Sequence, residues 1–343
     1  MNATSGSSRS AHPLSPRALF KALPRAVDNR PIWAQLNITW RCNLSCSYCT
    51  EYDNEKGHVP YEQLVARIDK CRALGVLHTD LIGGEPLLHP DVTRLVGDVV
   101  ARGMTTGMTT NGFLLTASLL AELKQAGLGR LQMSVDAVHP TEAAPKSLKT
   151  LKKKIDLCAQ QGLWLWVNTV ICDETLDDVE EVARFCFERG VNVNFSVVHD
   201  RGRLRRRLNN GRYLEKLRWL RAEKKAGRPV ATPYYLLDYY EQTLSGKPPK
   251  WTCQAGQKSF YVSPEGNFHF CYHVPSAMEL EAVTPSDLAA WGRAKGCESG
   301  CGVDCCVQTS LPFSKTLSTM SSEVRGRLGG LVGAVRARLP IVD

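Results

Sequence analysis

Three thiols fall within eight residues in the run Cys42-Asn-Leu-Ser-Cys46-Ser-Tyr-Cys49. Thiolates are soft ligands that suit iron–sulfur clusters or zinc. A structural zinc site closes with four protein ligands, whereas three ligands leave part of a metal centre open to another molecule. A second set of thiols stands far downstream, at Cys253, Cys271, Cys297, Cys301, Cys305 and Cys306. The other four of the thirteen cysteines, Cys71, Cys158, Cys172 and Cys186, lie singly in apolar or amphipathic segments, where a small buried side chain is the expected role. Met1–Pro16 is rich in Ser, Ala and Pro and lacks the apolar centre of a secretory signal. The expected compartment is therefore the cytoplasm, where disulfides are rare and clustered cysteines bind metal or do redox work.

The first cluster needs a scaffold, and the chain between Gln35 and Val198 supplies a regular one. Short β-branched or apolar runs predict strands at Gln35–Thr39, Thr79–Ile82, Thr105–Thr109, Arg130–Val135, Leu163–Ile171 and Asn192–Val198. Amphipathic stretches between them predict helices near Tyr61–Leu74, Pro90–Arg102, Thr116–Gln125, Lys146–Gln161 and Leu176–Arg189. Thr116 suits an N-cap, and Gly127 and Gly190 suit helix ends. Strands alternating with helices imply an α/β fold with parallel strands, as an open barrel or a doubly wound sheet. Both place chemistry at the C-terminal ends of the strands. Polar motifs fall at those ends in order. The cysteine run follows the first strand, and Gly83-Gly84-Glu85-Pro86 the second. Thr109-Thr110-Asn111-Gly112 follows the third, Ser134-Val135-Asp136 ends the fourth, Asn168 lies in the fifth, and His199-Asp200 ends the sixth.

The Cys-x3-Cys-x-aromatic-Cys run, with Tyr48 in the aromatic place, resembles the signature of the radical S-adenosylmethionine (SAM) superfamily. The resemblance covers roughly Gln35–Val198 and implies a partial (β/α)6 TIM-like barrel. It implies that Cys42, Cys46 and Cys49 bind a [4Fe–4S] cluster whose open iron is chelated by the amino and carboxylate groups of SAM. An electron from an external donor of the flavodoxin or ferredoxin type then cleaves SAM to methionine and a 5′-deoxyadenosyl radical, which abstracts a substrate hydrogen. Gly83, Gly84, Glu85 and Pro86 resemble the GGEP motif that contacts the methionyl amino group. Its glycines permit close backbone approach, and Glu85 supplies an acceptor for an ammonium. Asn111 belongs to a T-N-G turn of the family. Ser134 and Asp136 sit where relatives contact the SAM ribose and carboxylate, and Asn168 where they place a polar contact. His199 and Asp200 are candidate substrate ligands or proton acceptors.

Downstream, Cys253-x12-Gly266-x4-Cys271 resembles the opening of the SPASM and twitch modules that hold auxiliary clusters. Six cysteines, with none after Cys306, fit one auxiliary [4Fe–4S] cluster. Cys253 and Cys271 are the first ligands, completed from Cys297, Cys301 and Cys305, with Cys306 pointing away; a structural zinc is the other occupant of such a set. The chain thus divides into a flexible tail (1–34), a core barrel (35–200), a basic helical segment and linker (201–250), a small Cys-rich C-terminal module (251–310) and an amphipathic tail (311–343).

The net charge of +9 is local. Between Arg201 and Arg228 twelve Lys and Arg side chains face only Glu215 and Glu223, so the rest of the chain is close to neutral. That patch and the Ser321–Leu339 tail together suggest weak contact with a membrane surface, although no apolar run is long enough to span one. Tyr213 and Trp219 are the only aromatic residues in the patch, which argues against a single-strand nucleic-acid groove. About 34 residues precede the first strand, and Ala137-Val138-His139-Pro140 lacks the glycine of many peptide-modifying relatives. Both points favour a small-molecule or lipid-like substrate over a peptide. A zinc-stabilised, non-catalytic nucleic-acid-binding protein would account for the cysteines and the charge, but not for the ordered strand-end motifs.

Overall fold

In a computed structural model of the chain, the described residues are 28–47, 49, 51–142, 144–204, 210–314 and 318–327. Residues 1–27 of the expected N-terminal tail, Tyr48 and the end of the amphipathic tail lie outside them, whereas Trp33 and Ala34 of that expected tail begin the first strand. The first six strands are β1 (Trp33–Asn37), β2 (His78–Ile82), β3 (Thr105–Thr110), β4 (Arg130–Ser134), β5 (Leu165–Ile171) and β6 (Asn192–Val197). Each pairs in parallel with the next. Helices α1 (Tyr61–Ala73), α2 (Val92–Ala101), α3 (Ala117–Ala126), α4 (Leu148–Gln160) and α5 (Val179–Phe187) connect them. Parallel strands need such crossovers, because a tight turn cannot return the chain to the same end. The six β/α units form a partial barrel that stays open, with β6 as an edge strand.

The helices form where the apolar spacing falls, and they stop at identifiable signals. Thr116 and Ser147 cap α3 and α4, accepting hydrogen bonds from the amides of Leu119 and Thr150. Gly127 ends α3 in the left-handed region at φ +100°. Leu64, Ile68, Leu95, Val99, Leu120, Leu151, Ile155 and Val182 are all fully buried. At roughly 1.5–3 kcal/mol for each large apolar side chain, this layer dominates the stability of the barrel wall. The four isolated cysteines belong to it: Cys71, Cys158 and Cys186 are fully buried and Cys172 nearly so.

The C-terminal region continues the same sheet. β9 (Ser259–Val262) pairs in parallel with β1, and β10 (Asn267–Cys271) and β11 (Val274–Glu279) follow antiparallel, giving the order β11-β10-β9-β1-β2-β3-β4-β5-β6. A short ribbon of β7 (His199–Asp200) and β8 (Arg203–Leu204) leads into α6 (Asn210–Lys225) and α7 (Tyr234–Leu244). Two more helices follow, α8 (Pro285–Trp291) and α9 (Asp304–Ser314). Residues 318–327 are helical, and Gly326 lies against the Tyr234 ring, where an added Cβ would come within 2.4 Å of it.

Among the described residues, four cations of the basic stretch have acidic partners. Arg212 pairs with Asp177, Lys216 with Glu180, Arg228 with Glu223, and Arg221 with both Asp238 and Glu241. Lys216 ties α6 to α5, and Arg221 ties it to α7. Among the described residues no helix is long and apolar enough to cross a membrane.

Candidate active site

The loop after β1 carries Cys42, Cys46 and Cys49, all free thiols, and all three line one cavity of about 320 Å³ at the C-terminal ends of the strands. A turn brings the last two together, the Cys49 amide donating to the Cys46 carbonyl at 3.0 Å. Burial pushes the Cys49 thiol up to about 11 and raises Cys42 as well.

The Gly83-Gly84 pair packs directly on this loop. A Cβ on Gly83 would lie 2.7 Å from the Thr39 carbonyl oxygen, and one on Gly84 would lie 2.5 Å from that of Arg41. The amides of Gly84 and Glu85 donate to those same two carbonyls. Glycine is needed here for close approach, and both glycines line the cavity.

Glu85 is fully buried and does not line the cavity. Its carboxylate accepts from Thr110 Oγ1 at 2.6 Å, the Asn111 amide at 2.7 Å and the Leu87 amide at 3.0 Å. It therefore ties the second strand end to the third, and the part of the motif exposed to a ligand is the glycine backbone. Pro86 is buried behind it at the start of a short 3₁₀ turn. His89 is buried too, bonded to the Val59 carbonyl.

Asn111 lines the cavity. Its amide nitrogen donates to Asn43 Oδ1 at 2.7 Å and lies 3.9 Å from the Cys42 sulfur. Asn168 and Ser134 line it from β5 and β4. The Asn168 carbonyl oxygen accepts from Asn194 Nδ2 and Ser196 Oγ, which leaves its NH2 as the group offered to a ligand. Asp136 is buried outside the cavity and pairs at 3.1 Å with Lys146, which does line it. Burial disfavours the Lys146 ammonium, but Asp136 and the nearby Cys46 and Cys49 outweigh that and hold its pKa above the ordinary lysine range. Lys146 escaped the sequence reading because it sits in a short loop with no motif around it. The three thiols, an adjacent ammonium and the close glycine backbone fit a negatively charged iron–sulfur cluster.

The model of the radical SAM superfamily matches residues 36–186, the span of β1 to α5. Residues 36–186 form a radical SAM domain. Among solved structures, the chain is similar to Streptococcus suis SuiB bound to its precursor peptide SuiA, at 14% identity and a TM-score of 0.62, over 81% of this chain and 69% of that one. It is also similar to anSMEcpe with bound AdoMet, at 16% identity and a TM-score of 0.60, over 89% of this chain and 100% of that one. At these identities the likeness is one of fold.

Of the C-terminal cysteines, Cys305 is the one that lines the radical SAM cavity. Cys253, Cys271, Cys297 and Cys301 lie close enough to perturb one another electrostatically. Burial raises Cys253 to about 11 and pushes Cys301 higher. The adjacent pair at the start of α9 divides. Cys306, expected to point away, is buried and hydrogen-bonded to Cys271, whereas Cys305 lines the cavity with its sulfur 3.9 Å from Gln35 Oε1. Tyr239 and Trp251 fasten this region to α7, donating to the carbonyls of Cys301 and Glu298. Among the described residues no three His, Cys, Asp or Glu side chains converge on a single-ion site.

His199 lines the cavity and packs edge-on against His273, ring centroids 4.9 Å apart. Burial, followed by His199, lowers the His273 pKa to about 4, so the imidazole is neutral at physiological pH. Asp200 is exposed in the β7–β8 ribbon and does not line the cavity. Asp304 does line it, half-buried, where it accepts from Ser196 Oγ at 2.7 Å.

Deeper in the barrel, Asp80 of β2 and Arg130 of β4 meet across β3 at 2.6 Å. They can do so because Gly107, which stands between them in register, has no side chain; an added Cβ would lie 2.0 Å from Asp80 Oδ1. Burial disfavours the Asp80 carboxylate, but Arg130 and His78 overcome that and hold it well below the ordinary carboxylate range. Its stabilising effect is present above about pH 4 and is lost as pH falls toward its own lower pKa. Asp80→Asn leaves a buried guanidinium unpaired and should cost about 3–5 kcal/mol at pH 7. The expected melting point falls by on the order of 10 °C at pH 7. By circular dichroism the deficit should shrink below about pH 4; a constant deficit would show that the ion pair is not the cause.

Proposed function

We propose that the protein is a radical SAM enzyme whose Cys42, Cys46 and Cys49 hold a [4Fe–4S] cluster, with SAM at its open iron. Bound together, the two would supply a 5′-deoxyadenosyl radical able to abstract hydrogen from an unactivated carbon. The observation that carries this reading is the convergence, on one cavity inside a matched radical SAM domain, of three free thiols, the Gly83-Gly84 backbone, Asn111, Ser134 and Asn168.

The chain's own residues have separable tasks in this reading. Gly83 and Gly84 let the second strand end approach the ligand, while Glu85 braces the Thr110–Asn111 turn from behind. Lys146, oriented by Asp136, offers an ammonium beside the thiols to a carboxylate. Asn168, with its carbonyl oxygen occupied, offers hydrogen-bond donors. Tyr261, Tyr272, His199 and His273 wall the mouth and restrict water.

Cys253, Cys271, Cys297 and Cys301 are proposed to hold one auxiliary cluster, with an external flavodoxin or ferredoxin as electron source. SuiB and anSMEcpe were solved with peptides bound. The lining of the cavity, in which Gln35, Gln132, Asn168, Asn194 and Ser196 stand between aromatic rings, suits a polar substrate better than a lipid-like one.

The test is anaerobic reconstitution followed by incubation with SAM and dithionite. Roughly eight irons per chain and release of 5′-deoxyadenosine are expected. Colourless protein with bound zinc and no nucleoside product would refute the proposal.

A further inference from the structure

Asp304 is an acid of the cavity that none of the tasks above uses. It opens α9 and lines the cavity in a half-buried position. One carboxylate oxygen accepts from Ser196 Oγ at 2.7 Å and the other from the Cys305 amide at 2.8 Å. Asn194 stands within reach of the same group. A carboxylate offers about four acceptor sites, so capacity remains for a further donor. Its place in the first turn of a helix favours the negative charge.

The charge of the lining is unbalanced. Asp80 is paired with Arg130, and Lys146 with Asp136 behind it. Glu51 lies within electrostatic reach of Lys146. Among the described residues, the donors to Asp304 are a hydroxyl and amides, not a cation. His199 also lines the cavity, but its Nδ1 accepts from the Gly202 amide, which an imidazolium cannot do. A carboxylate partly withdrawn from water gains most from a counter-cation.

The wall beside Asp304 is aromatic. Gly302, on the same loop, packs so closely on His199 that an added Cβ would lie 2.5 Å from the His199 Cβ. From His199 the rings continue to His273 at 4.9 Å, to Tyr272 a further 4.9 Å on, and to Tyr261 at 5.4 Å from Tyr272. All four line the cavity. Aromatic rings exclude water and attract cations.

The position suits a substrate. Ser196 Oγ stands between Asp304 and Asn168, 2.7 Å from one carboxylate oxygen and 3.2 Å from the Asn168 carbonyl oxygen. Asn168 is assigned to SAM above, so a group held by Asp304 would lie one hydroxyl away from the cofactor layer. An anion is repelled there, and a neutral hydroxyl gains only an ordinary hydrogen bond. A cation gains a charge-assisted one.

We propose that Asp304 and the adjoining rings form a subsite for a cationic nitrogen of the substrate, an ammonium or a guanidinium. The proposal rests on the SAM-cleaving reading only in taking this cavity as the one that receives substrate.

The test uses reconstituted, SAM-loaded protein in equilibrium dialysis with radiolabelled n-butylamine, n-butanol and butyrate, which share a length and differ in charge. Retention of the amine in preference to the other two is expected. Asp304→Asn keeps the shape and an acceptor for Ser196 but loses the charge. It should weaken retention of the amine about tenfold, the effect of one lost charge-assisted hydrogen bond. Asp200→Asn, on the exposed β7–β8 ribbon outside the cavity, should bind as wild type. Iron content and melting temperature show whether Asp304→Asn is folded, and the charge series on the wild type decides the matter where it is not. Preference for butanol or butyrate, or no retention of any probe, as for a carboxylate that only fastens α9 to β6, would overturn the subsite. So would equal retention of the amine by wild type and folded Asp304→Asn, or an equal loss in Asp200→Asn. Absence of 5′-deoxyadenosine in the wild type would sink the SAM reading instead, whatever the amine does.

Discussion

Alanine at Cys42, Cys46 or Cys49 should abolish 5′-deoxyadenosine formation and lower the iron content by about four per chain, while the iron of the proposed auxiliary cluster should stay. All three cysteines line one cavity from one loop. The loop itself should survive, because its backbone is held from outside by the Gly84 and Glu85 amides, by the Asp53 amide on the Trp40 carbonyl, and by Asn54 on the Cys42 amide. The measurement is iron and sulfide analysis alongside a nucleoside assay on each variant. Alanine variants that retain full iron and still release the nucleoside would place the SAM-binding cluster elsewhere.

Glu85 should separate bracing from chemistry. Glu85→Ala strands the Thr110 hydroxyl and the Asn111 and Leu87 amides in a buried site. At about 1–3 kcal/mol for each orphaned group, the loss is on the order of 5 kcal/mol. That corresponds to a fall of more than about 10 °C in melting temperature, and SAM binding should fail with it because the Asn111 turn loses its anchor. Glu85→Gln should be far milder. Gln keeps one oxygen to accept from Thr110 and the Leu87 amide and loses only the acceptor for the Asn111 amide. Thermal melts and SAM titration of the two variants give the comparison; equal damage from both would show that the charge, not the bracing, matters.

The sequence was most legible where period and punctuation agree. All six core strands and five crossover helices were readable to within about three residues at each boundary, because capping residues such as Thr116 and the left-handed Gly127 mark the ends. The order of motifs at strand ends was readable for the same reason, since parallel topology forces those ends together. What stayed hidden depends on pairings distant in sequence. Nothing local in Ser259–Val262 announces that it will lie beside Trp33–Leu36. α7 does space its buried Leu236, Leu237, Tyr240 and Leu244 for one helical face, but it lies outside the strand–helix alternation that guided the reading. Lys146, Asp304 and the Asp80–Arg130 pair enter the cavity from unremarkable contexts, and only the register across Gly107 brings the last two together. Glu85 was assigned to a ligand ammonium because a motif shows which residues recur but not which way a side chain turns.

The pairing of β9 with β1 has a consequence for biosynthesis. During synthesis the first strand is made early, yet the partner for one of its edges leaves the ribosome more than two hundred residues later. Until then that edge is an unpaired template for foreign strands. Release of a chain ending before Ser259 should therefore yield aggregation-prone protein, not a smaller working enzyme. Chaperone dependence in the cell should track how quickly translation reaches that late segment.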